Sequence, residues 1–241
     1  MLQLADPFPP VVYFLHTILG TVGVLLAVVA LAGVKGSSTH VRAGWGFVAA
    51  SVVAALTAVA FSVTSPSPLA VASALMVLAL VSSAVLSLRP MSASIKRAEW
   101  AATATMGMAW LILAALGAFA LALATGLAAP PPEAEVPPFY VLALPLLYAA
   151  FPTHFLLDDR RFRRLGADRA TRAYPRHLSR MAFAFAIAVH APVVSFADDL
   201  QFSLYVAFFG PFLLWPAILF ALRQHPRLRA RGSDARPMAP V

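Results

Sequence analysis

Three histidines lie within long apolar stretches of this sequence, and they are the side chains there that are best suited to chemistry. They are His16, His154 and His190. The same stretches carry no Asp, Glu or Arg away from their ends. An ionisable group inside a membrane is costly, which makes it a functional candidate by default. Proton transfer, metal ligation or hydrogen bonding to a cofactor would therefore fall to imidazole.

His16 and His190 lie at similar predicted depths, about 8 and 10 Å from one membrane boundary at 1.5 Å per helical residue. Two imidazoles at matching depth can ligate a haem iron, bind a divalent metal or bracket a quinone. The alternative is that each ring bonds a neighbouring carbonyl, which for His190 would lie near Pro192. We predict His16 and His190 as cofactor-binding residues and leave the identity of the cofactor open.

A second group of polar residues follows the basic segments of the chain. His154 and Asp158 are four residues apart and share a helix face. His177 opens a later apolar stretch, and His40 lies in the first basic connection. Together they would make a reasonable zinc ligand set if they converge. The alternatives are that His154 bonds Asp158, and that Asp158 and Asp159 pair with nearby arginines.

The stretch from Asp158 to Arg180 contains eight of the sixteen arginines. Basic residues near a membrane surface orient the spans and attract anionic headgroups, at about 1 kcal/mol each. Recognition of a phosphate or a headgroup as substrate is the alternative. The predicted headgroup contacts are Arg160, Arg161, Arg163, Arg164 and Arg180.

Composition indicates a membrane protein, because the 241 residues are 61% hydrophobic and only 12% charged. Soluble domains are about 45–50% apolar and about 25% charged. We predict an all-α bundle of seven transmembrane helices in one domain, residues 1–222, followed by a basic disordered tail, residues 223–241. The predicted spans are about 11–34, 45–64, 69–88, 100–127, 139–157, 178–197 and 202–222.

The charges predict the orientation of these spans. Basic residues next to spans stay on the cytoplasmic side. With the N-terminus outside, all eighteen Lys and Arg residues fall in the inner segments, and the outer segments carry five acidic residues and no basic one. This pattern explains the net charge of +8 without nucleic acid. The inner segments are 35–44, 89–99, 158–180 and 223–241.

Further composition limits the partners and the compartment. The absence of cysteine excludes disulfides and cysteine-ligated metal centres. Sixteen arginines against two lysines, with abundant alanine, favour a GC-rich bacterial genome and hence the bacterial cytoplasmic (inner) membrane. The expected partners are a bilayer with anionic headgroups and a larger membrane complex.

Proline and glycine distinguish the two halves of the chain. The interiors of the first four predicted spans lack proline, and the later ones contain five. These prolines indicate either kinked packing or a cavity or hinge. Gly20 and Gly23 would allow close helix approach. The five prolines are Pro145, Pro152, Pro192, Pro211 and Pro216.

Two motifs resemble a bacterial family of multi-pass membrane proteins classed as a domain of unknown function. The first is Lys35-Gly36-x-x-x-His40-x-Arg42-x-Gly44, and the second is Arg176-His177-Leu178-x-Arg180-Met181. The resemblance implies the fold and the membrane location and supplies no activity. Ser179 departs from the family pattern, in which tryptophan is usual. The polar positions that it implies are His16, His40, Asp158, His177 and Arg180.

The functional prediction is histidine-based binding of haem, a metal or a quinone for membrane redox chemistry. The alternatives are a small-solute transporter or channel, and a non-catalytic accessory subunit. The sequence leaves open whether the chain is an enzyme.

Overall fold

A computed structural model describes residues 10–64, 66–128, 138–165, 168–195 and 204–224. Within these residues the chain is all-helical, as predicted, and has no strand. From residue 225 onward, the predicted disordered tail lies outside the described residues. The helices are α1 (Pro10–Ala32), α2 (Ser38–Thr64), α3 (Pro68–Ser87), α4 (Ala93–Ala124), α5 (Pro138–Arg163), α6 (Arg169–Ser195) and α7 (Leu204–Gln224).

Five of these helices are long and apolar enough to cross a membrane, as a multi-pass membrane protein requires. About 20 apolar residues suffice for a core about 30 Å thick, and a helix satisfies its own backbone groups there. Large apolar side chains also remain exposed along them, including Phe14 and Leu25 of α1 at 62% and 60%. The five segments are Phe14–Ala32, Ser38–Val63, Pro68–Ser87, Ala93–Leu123 and Arg169–Val194.

Several helices extend well beyond the predicted spans, so the charged segments are mostly helical. α4 begins at Ala93, α5 continues to Arg163, and α6 begins at Arg169. Most of the predicted 158–180 connection is therefore made of two helix ends. A predicted span covers only the part that crosses hydrocarbon, from which charge is excluded, whereas Arg, Lys, Glu and Ala all favour helix, so a helix can continue beyond its span.

The chain divides into two compact units, whose boundaries fall within α2 and α6. Unit 1 contains Ala55–His177, and unit 2 contains Pro9–Ala54 together with the chain from Leu178 onward. In unit 1, α4 packs against both α3 and α5. Near its start α4 contacts the end of α5, where Thr103 donates to Asp159. Further along, Trp110 donates to Thr153. The pairing runs in opposite directions along the two helices, so α4 and α5 are antiparallel.

In unit 2, α1 packs closely against the first part of α2. A Cβ added to Gly23 would lie 3.2 Å from the Cβ of Ala50, so the predicted role of Gly23 in close approach is confirmed. At Gly20 an added Cβ would meet nothing within 4 Å, so the same prediction for Gly20 is wrong. Gly23 therefore allows α1 to approach α2 closely, whereas Gly20 faces open space.

Candidate functional site

The acidic and basic side chains of α4, α5 and α6 form a buried ionic cluster in unit 1. The cluster consists of Glu99, Asp158, Asp159, Arg169 and Arg176. Glu99, Asp159 and Arg176 are only 3%, 1% and 7% exposed. Charged side chains are rarely buried to this extent unless they are paired.

Arg176 lies at the centre of the ionic cluster and contacts three carboxylates. Its Nε donates to Asp158 Oδ2 over 3.2 Å, and its Nη2 donates to Asp159 Oδ1. Its Nη1 lies 3.7 Å from Glu99 Oε1. One guanidinium of α6 therefore joins the end of α5 to the beginning of α4. The predicted alternative for Asp158 and Asp159, pairing with nearby arginines, is confirmed.

Arg169 binds Glu99 in a two-pronged arrangement. Nη1 lies 3.2 Å from Oε2, and Nη2 lies 2.5 Å from Oε1. The planar guanidinium matches a carboxylate in this geometry, which makes such pairs strong and directional. Glu99 thus pairs with Arg169 in the first turn of α6. It also lies near Arg176, which contacts the two aspartates of α5 as well.

The guanidinium groups of Arg169 and Arg176 both lie over the aromatic ring of Phe162. The Cζ atoms of Arg169 and Arg176 lie 4.3 and 4.1 Å from the ring centroid. A cation over an aromatic face contributes about 0.5–2 kcal/mol, and more when water is excluded. Phe162 is itself buried. The ring therefore covers the charges and fixes their positions.

A third arginine approaches the ionic cluster through a hydroxyl group. Thr103 Oγ1 donates to Asp159 Oδ2 over 2.7 Å and accepts a hydrogen bond of 2.7 Å from Arg163 Nη1. The Arg163 Cζ lies 4.1 Å from the ring centroid of Trp100. Arg163 is half-buried, whereas Trp100 is exposed. Arg163 is thus at the edge of the ionic cluster and is held by neutral groups.

The ionic cluster is suited to locking three helices together. Replacing buried ion pairs by apolar residues is often neutral, but removing one partner costs about 3–5 kcal/mol because a charge is left buried. The carboxylates are already engaged by guanidinium groups, so they are poor candidates for metal ligands. The chemical consequence is a specific mutual arrangement of α4, α5 and the start of α6.

Two hydrogen bonds to backbone carbonyls add α3 to this arrangement. His177 Nδ1 donates to the carbonyl oxygen of Ala84 over 3.1 Å. Ser87 Oγ donates to the carbonyl oxygen of Ala173 over 3.2 Å. His177 therefore links α6 to α3.

His40 and Lys35 serve the end of α1. Lys35 Nζ donates to the carbonyl oxygens of Ala30, Leu31 and Gly33 over 3.1, 2.6 and 3.1 Å. His40 Nδ1 donates to the Ala30 oxygen over 2.8 Å. The last carbonyls of a helix have no partner within the helix and are favourable positions for a cation. Burial lowers the pKa of the Lys35 ammonium below its ordinary value of 10.5.

The connection between α1 and α2 is a tight turn that requires glycine. The Ser37 amide donates to the Val34 carbonyl over 3.0 Å, and Gly36 has a φ of +80°. A positive φ at the third residue is the mark of a type II turn, in which glycine is strongly favoured. Ser37 then caps α2 by accepting from the His40 amide. The first part of the first motif, from Lys35 to His40, thus acts as a helix-capping unit.

Of the predicted metal set, His154, Asp158 and His177 lie in unit 1, and His40 lies in unit 2. Among the described residues, which include all four, no three His, Asp or Glu side chains form a group that could hold a metal ion. His40 and His177 donate to carbonyls, and Asp158 accepts from Arg176. His154 is exposed. For His40, His177 and Asp158 the partners are thus two backbone carbonyls and a guanidinium.

The predicted headgroup contacts divide by exposure. Arg160, Arg161 and Arg164 are exposed, and Arg163 is half-buried. Arg180 is only 1% exposed, so the prediction that it contacts headgroups is wrong. Its position in α6 turns it into the protein interior. The basic character of a segment does not reveal which of its side chains face outward.

His16 and His190 both belong to unit 2. His16 is half-buried, and its Nδ1 donates to the carbonyl oxygen of Ala54 over 3.1 Å. Because a carbonyl oxygen only accepts, Nδ1 carries the proton, and in the neutral ring the lone pair is on Nε2. Histidines that ligate metals are commonly oriented by such a bond. The expectation that His16 bonds a carbonyl is confirmed, and this bond is compatible with ligation.

His190 lies in an aromatic environment between α6 and α7. The His190 residue is buried, and its ring centroid is 5.1 Å from that of Phe212. Phe183 lies 5.7 Å from Phe212 and 5.2 Å from Trp215. Trp215 Nε1 donates to Ser179 Oγ over 3.2 Å. We call Phe183, Phe212 and Trp215 the aromatic group.

Glu99 and Arg169 are central to the ionic cluster, but neither is among the site residues predicted from the sequence. The signal available was a lone carboxylate beside a tryptophan at the start of an apolar stretch, Glu99-Trp100. Its partner Arg169 is 70 residues away, so no local spacing connects them.

No known protein family, curated protein or solved structure matches this chain. The resemblance drawn from the two motifs therefore stays a prediction. The function has to be argued from the residues themselves.

Proposed function

We propose that this protein holds a haem or a quinone in the membrane through histidines of unit 2, with His190 as the central residue and His16 as the predicted second one. The observation that carries the proposal is the buried His190 imidazole against Phe212. In the described part of unit 2 there is no carboxylate. Imidazole is therefore the group there that can exchange a proton or bind iron near neutral pH.

The aromatic group suits a flat ligand. A neutral imidazole offers a lone pair to a haem iron or an N–H to a quinone oxygen. Aromatic side chains pack favourably against planar rings. The bound group would supply one-electron chemistry, and the protein would supply position and a water-poor surrounding.

The proposal includes seven spans, with α5 and α7 joining the five helices that are long and apolar enough by themselves. We place the N-terminus outside and the C-terminus in the cytoplasm, in a bacterial inner membrane, on the distribution of basic residues. The exposed Arg160, Arg161 and Arg164 support contact with anionic headgroups on the cytoplasmic side.

The test is an absorption spectrum and a quinone extraction on protein purified from membranes. The wild type, as purified or after reconstitution with haemin or menaquinone, should bind one of these groups stoichiometrically. His190→Ala should lose it. His154→Ala is the matched control, because His154 is an exposed histidine and should retain it.

Two outcomes would contradict the proposal. One is wild-type protein that takes up neither haemin nor menaquinone in folded, monodisperse form. The other is equal binding by the wild type and His190→Ala, which would place the ligand elsewhere.

A second candidate function, a small-solute transporter or channel, is favoured by the prolines of α7. Pro211 and Pro216 both lie inside this helix, and each removes a backbone donor. Helices interrupted by proline line substrate sites in transporters, and these two prolines are the candidate points of interruption in the continuous helix α7. Proteoliposomes can be tested for proton and glycerol flux, with Pro216→Ala as the variant. Flux that is absent from the wild type would exclude these two solutes.

A further inference from the structure

Three arginines lie around the start of α4, and their partners differ. Arg169 and Arg176 are engaged by carboxylates. Arg163 donates to the neutral Thr103 hydroxyl and lies over the Trp100 ring. Among the described residues, Arg163 has no carboxylate within ion-pair distance. Its charge is therefore held in position by neutral groups, without a direct ion pair.

The geometry of Arg163 leaves donors for an anion. A guanidinium has five N–H donors, and a single hydrogen bond, from Nη1 to Thr103, is formed with the described residues. Stacking on Trp100 at 4.1 Å fixes the plane of the fork. An arginine held in this way is pre-organised, so less conformational entropy is lost on binding a phosphate.

The surroundings of Arg163 are positively charged. Lys96 and Trp100 are four residues apart on α4, and Trp100 and Thr103 are three apart, so the three share one helix face. Arg160 of α5 is exposed and three residues before Arg163. Within the described ranges, neither Lys96 nor Arg160 lies within ion-pair distance of a carboxylate. Lys96 and Arg160 therefore add positive charge beside Arg163 without direct ion pairs of their own.

This region lies at the height of lipid headgroups. α4 has 32 residues and is about 48 Å long, which exceeds the hydrocarbon thickness of about 30 Å. Its charged first turns must therefore project from the hydrocarbon. Trp100 is 53% exposed, and tryptophan favours the membrane interface.

We propose that Arg163, held by Thr103 and Trp100 and flanked by Lys96 and Arg160, forms a binding site for the phosphate of an anionic phospholipid. An anionic lipid fits because its net negative headgroup can pair with three basic side chains that form no direct ion pair with a described carboxylate, whereas a zwitterionic headgroup brings a cation of its own. The site rests on the part of the proposed function that places this end of the helices at an anionic leaflet.

The experiment uses the full-length protein in nanodiscs and measures the unfolding temperature as phosphatidylglycerol is titrated into phosphatidylcholine. The wild type should be stabilised by phosphatidylglycerol. Arg163→Gln should weaken the apparent affinity about tenfold, as expected for a lost charge-assisted contact. Arg172→Gln removes one exposed charge that has no such support and should weaken it by about twofold.

Trp100→Leu keeps the Arg163 charge and removes the ring that orients it, so its effect should fall between these two. This variant also keeps the test valid if Arg163→Gln is not monodisperse. Equal effects of Arg163→Gln and Arg172→Gln would overturn the site while leaving general attraction to anionic lipid intact. If the unfolding temperature of the wild type does not change with phosphatidylglycerol, both the site and the proposed orientation are overturned. Stabilisation by inorganic phosphate alone would overturn the lipid as ligand.

Discussion

In unit 1 the buried charges come from different helices and neutralise one another. In unit 2 a buried ammonium and two imidazoles donate to backbone carbonyls, and a third imidazole lies against an aromatic ring. Arg176 of unit 1 contacts carboxylates on two helices. Lys35 of unit 2 donates to three carbonyls at the end of one helix. The same physical requirement, a partner for each buried polar group, is met between helices in one case and at a helix end in the other.

The difference has consequences for stability and for chemistry. Carboxylate–guanidinium pairs leave a buried charge when one member is lost, so unit 1 should be sensitive to single substitutions. A helix end can exchange a side-chain partner for water more easily, so unit 2 should tolerate such changes better. Neutral imidazoles also remain suited to ligands, which is why the cofactor proposal concerns unit 2.

The largest expected effect comes from Arg176→Ala. The substitution leaves Glu99 and Asp159 buried without their shared partner, so the free energy of unfolding should fall by about 3–5 kcal/mol. Thermal unfolding in detergent, followed by tryptophan fluorescence, measures it. Arg172→Ala removes an exposed arginine of the same helix and should change stability by less than about 0.5 kcal/mol. Similar losses in both variants would refute the distinction between buried and exposed charge.

The next effect is the coupling between Glu99 and Arg169. A double-mutant cycle with Glu99→Gln and Arg169→Gln should give an interaction energy of about 1–3 kcal/mol, because the pair is two-pronged and covered by Phe162. Equilibrium unfolding of the four proteins in mixed micelles provides the values. A coupling energy near zero would mean that the two side chains act independently.

A smaller effect is expected at the turn of unit 2. Gly36→Ala places a side chain at a φ of +80° and should cost about 1–2 kcal/mol. Gly44→Ala is the matched control, because Gly44 lies inside α2 and an added Cβ meets nothing within 4 Å. That change should be neutral or stabilising by up to about 1 kcal/mol. The unfolding temperature should fall for Gly36→Ala and should stay unchanged or rise for Gly44→Ala, and an unchanged or higher value for Gly36→Ala would contradict the type II turn.

The smallest effect is the pH dependence contributed by Lys35. Burial lowers its pKa below 10.5, so the unfolded chain binds this proton more readily than the folded one. The contribution of Lys35 to the free energy of unfolding is therefore lowest at a pH below its folded-state pKa. It increases as the pH rises from there toward 10.5, by at most about 1.4 kcal/mol per pH unit. The difference in unfolding temperature between wild type and Lys35→Met should grow in favour of the wild type across this range. Arg42→Gln, at an exposed position, should show a constant difference.

Part of the site could be predicted from the sequence. The pairing of Asp158 and Asp159 with arginine was among the alternatives, because opposite charges were close along the chain. The bond from His16 to a carbonyl was also expected, since few other partners exist in an apolar span. Glu99 was missed because its partner Arg169 lies beyond any local pattern, and Arg180 was placed outward because charge alone does not give the direction of a side chain.

The apolar composition and the long uncharged stretches of the sequence were enough to predict a helical chain with segments that can cross a membrane. Long apolar stretches and the need to satisfy every backbone group in hydrocarbon leave few other structures. Only the tertiary structure decided which charged groups meet, because the distance between Glu99 on α4 and Arg176 on α6 depends on how the helices of unit 1 pack. The fold likewise decided that the segment from Lys35 to His40 closes a helix end, since three carbonyls converge on Lys35 only when α1 terminates where it does.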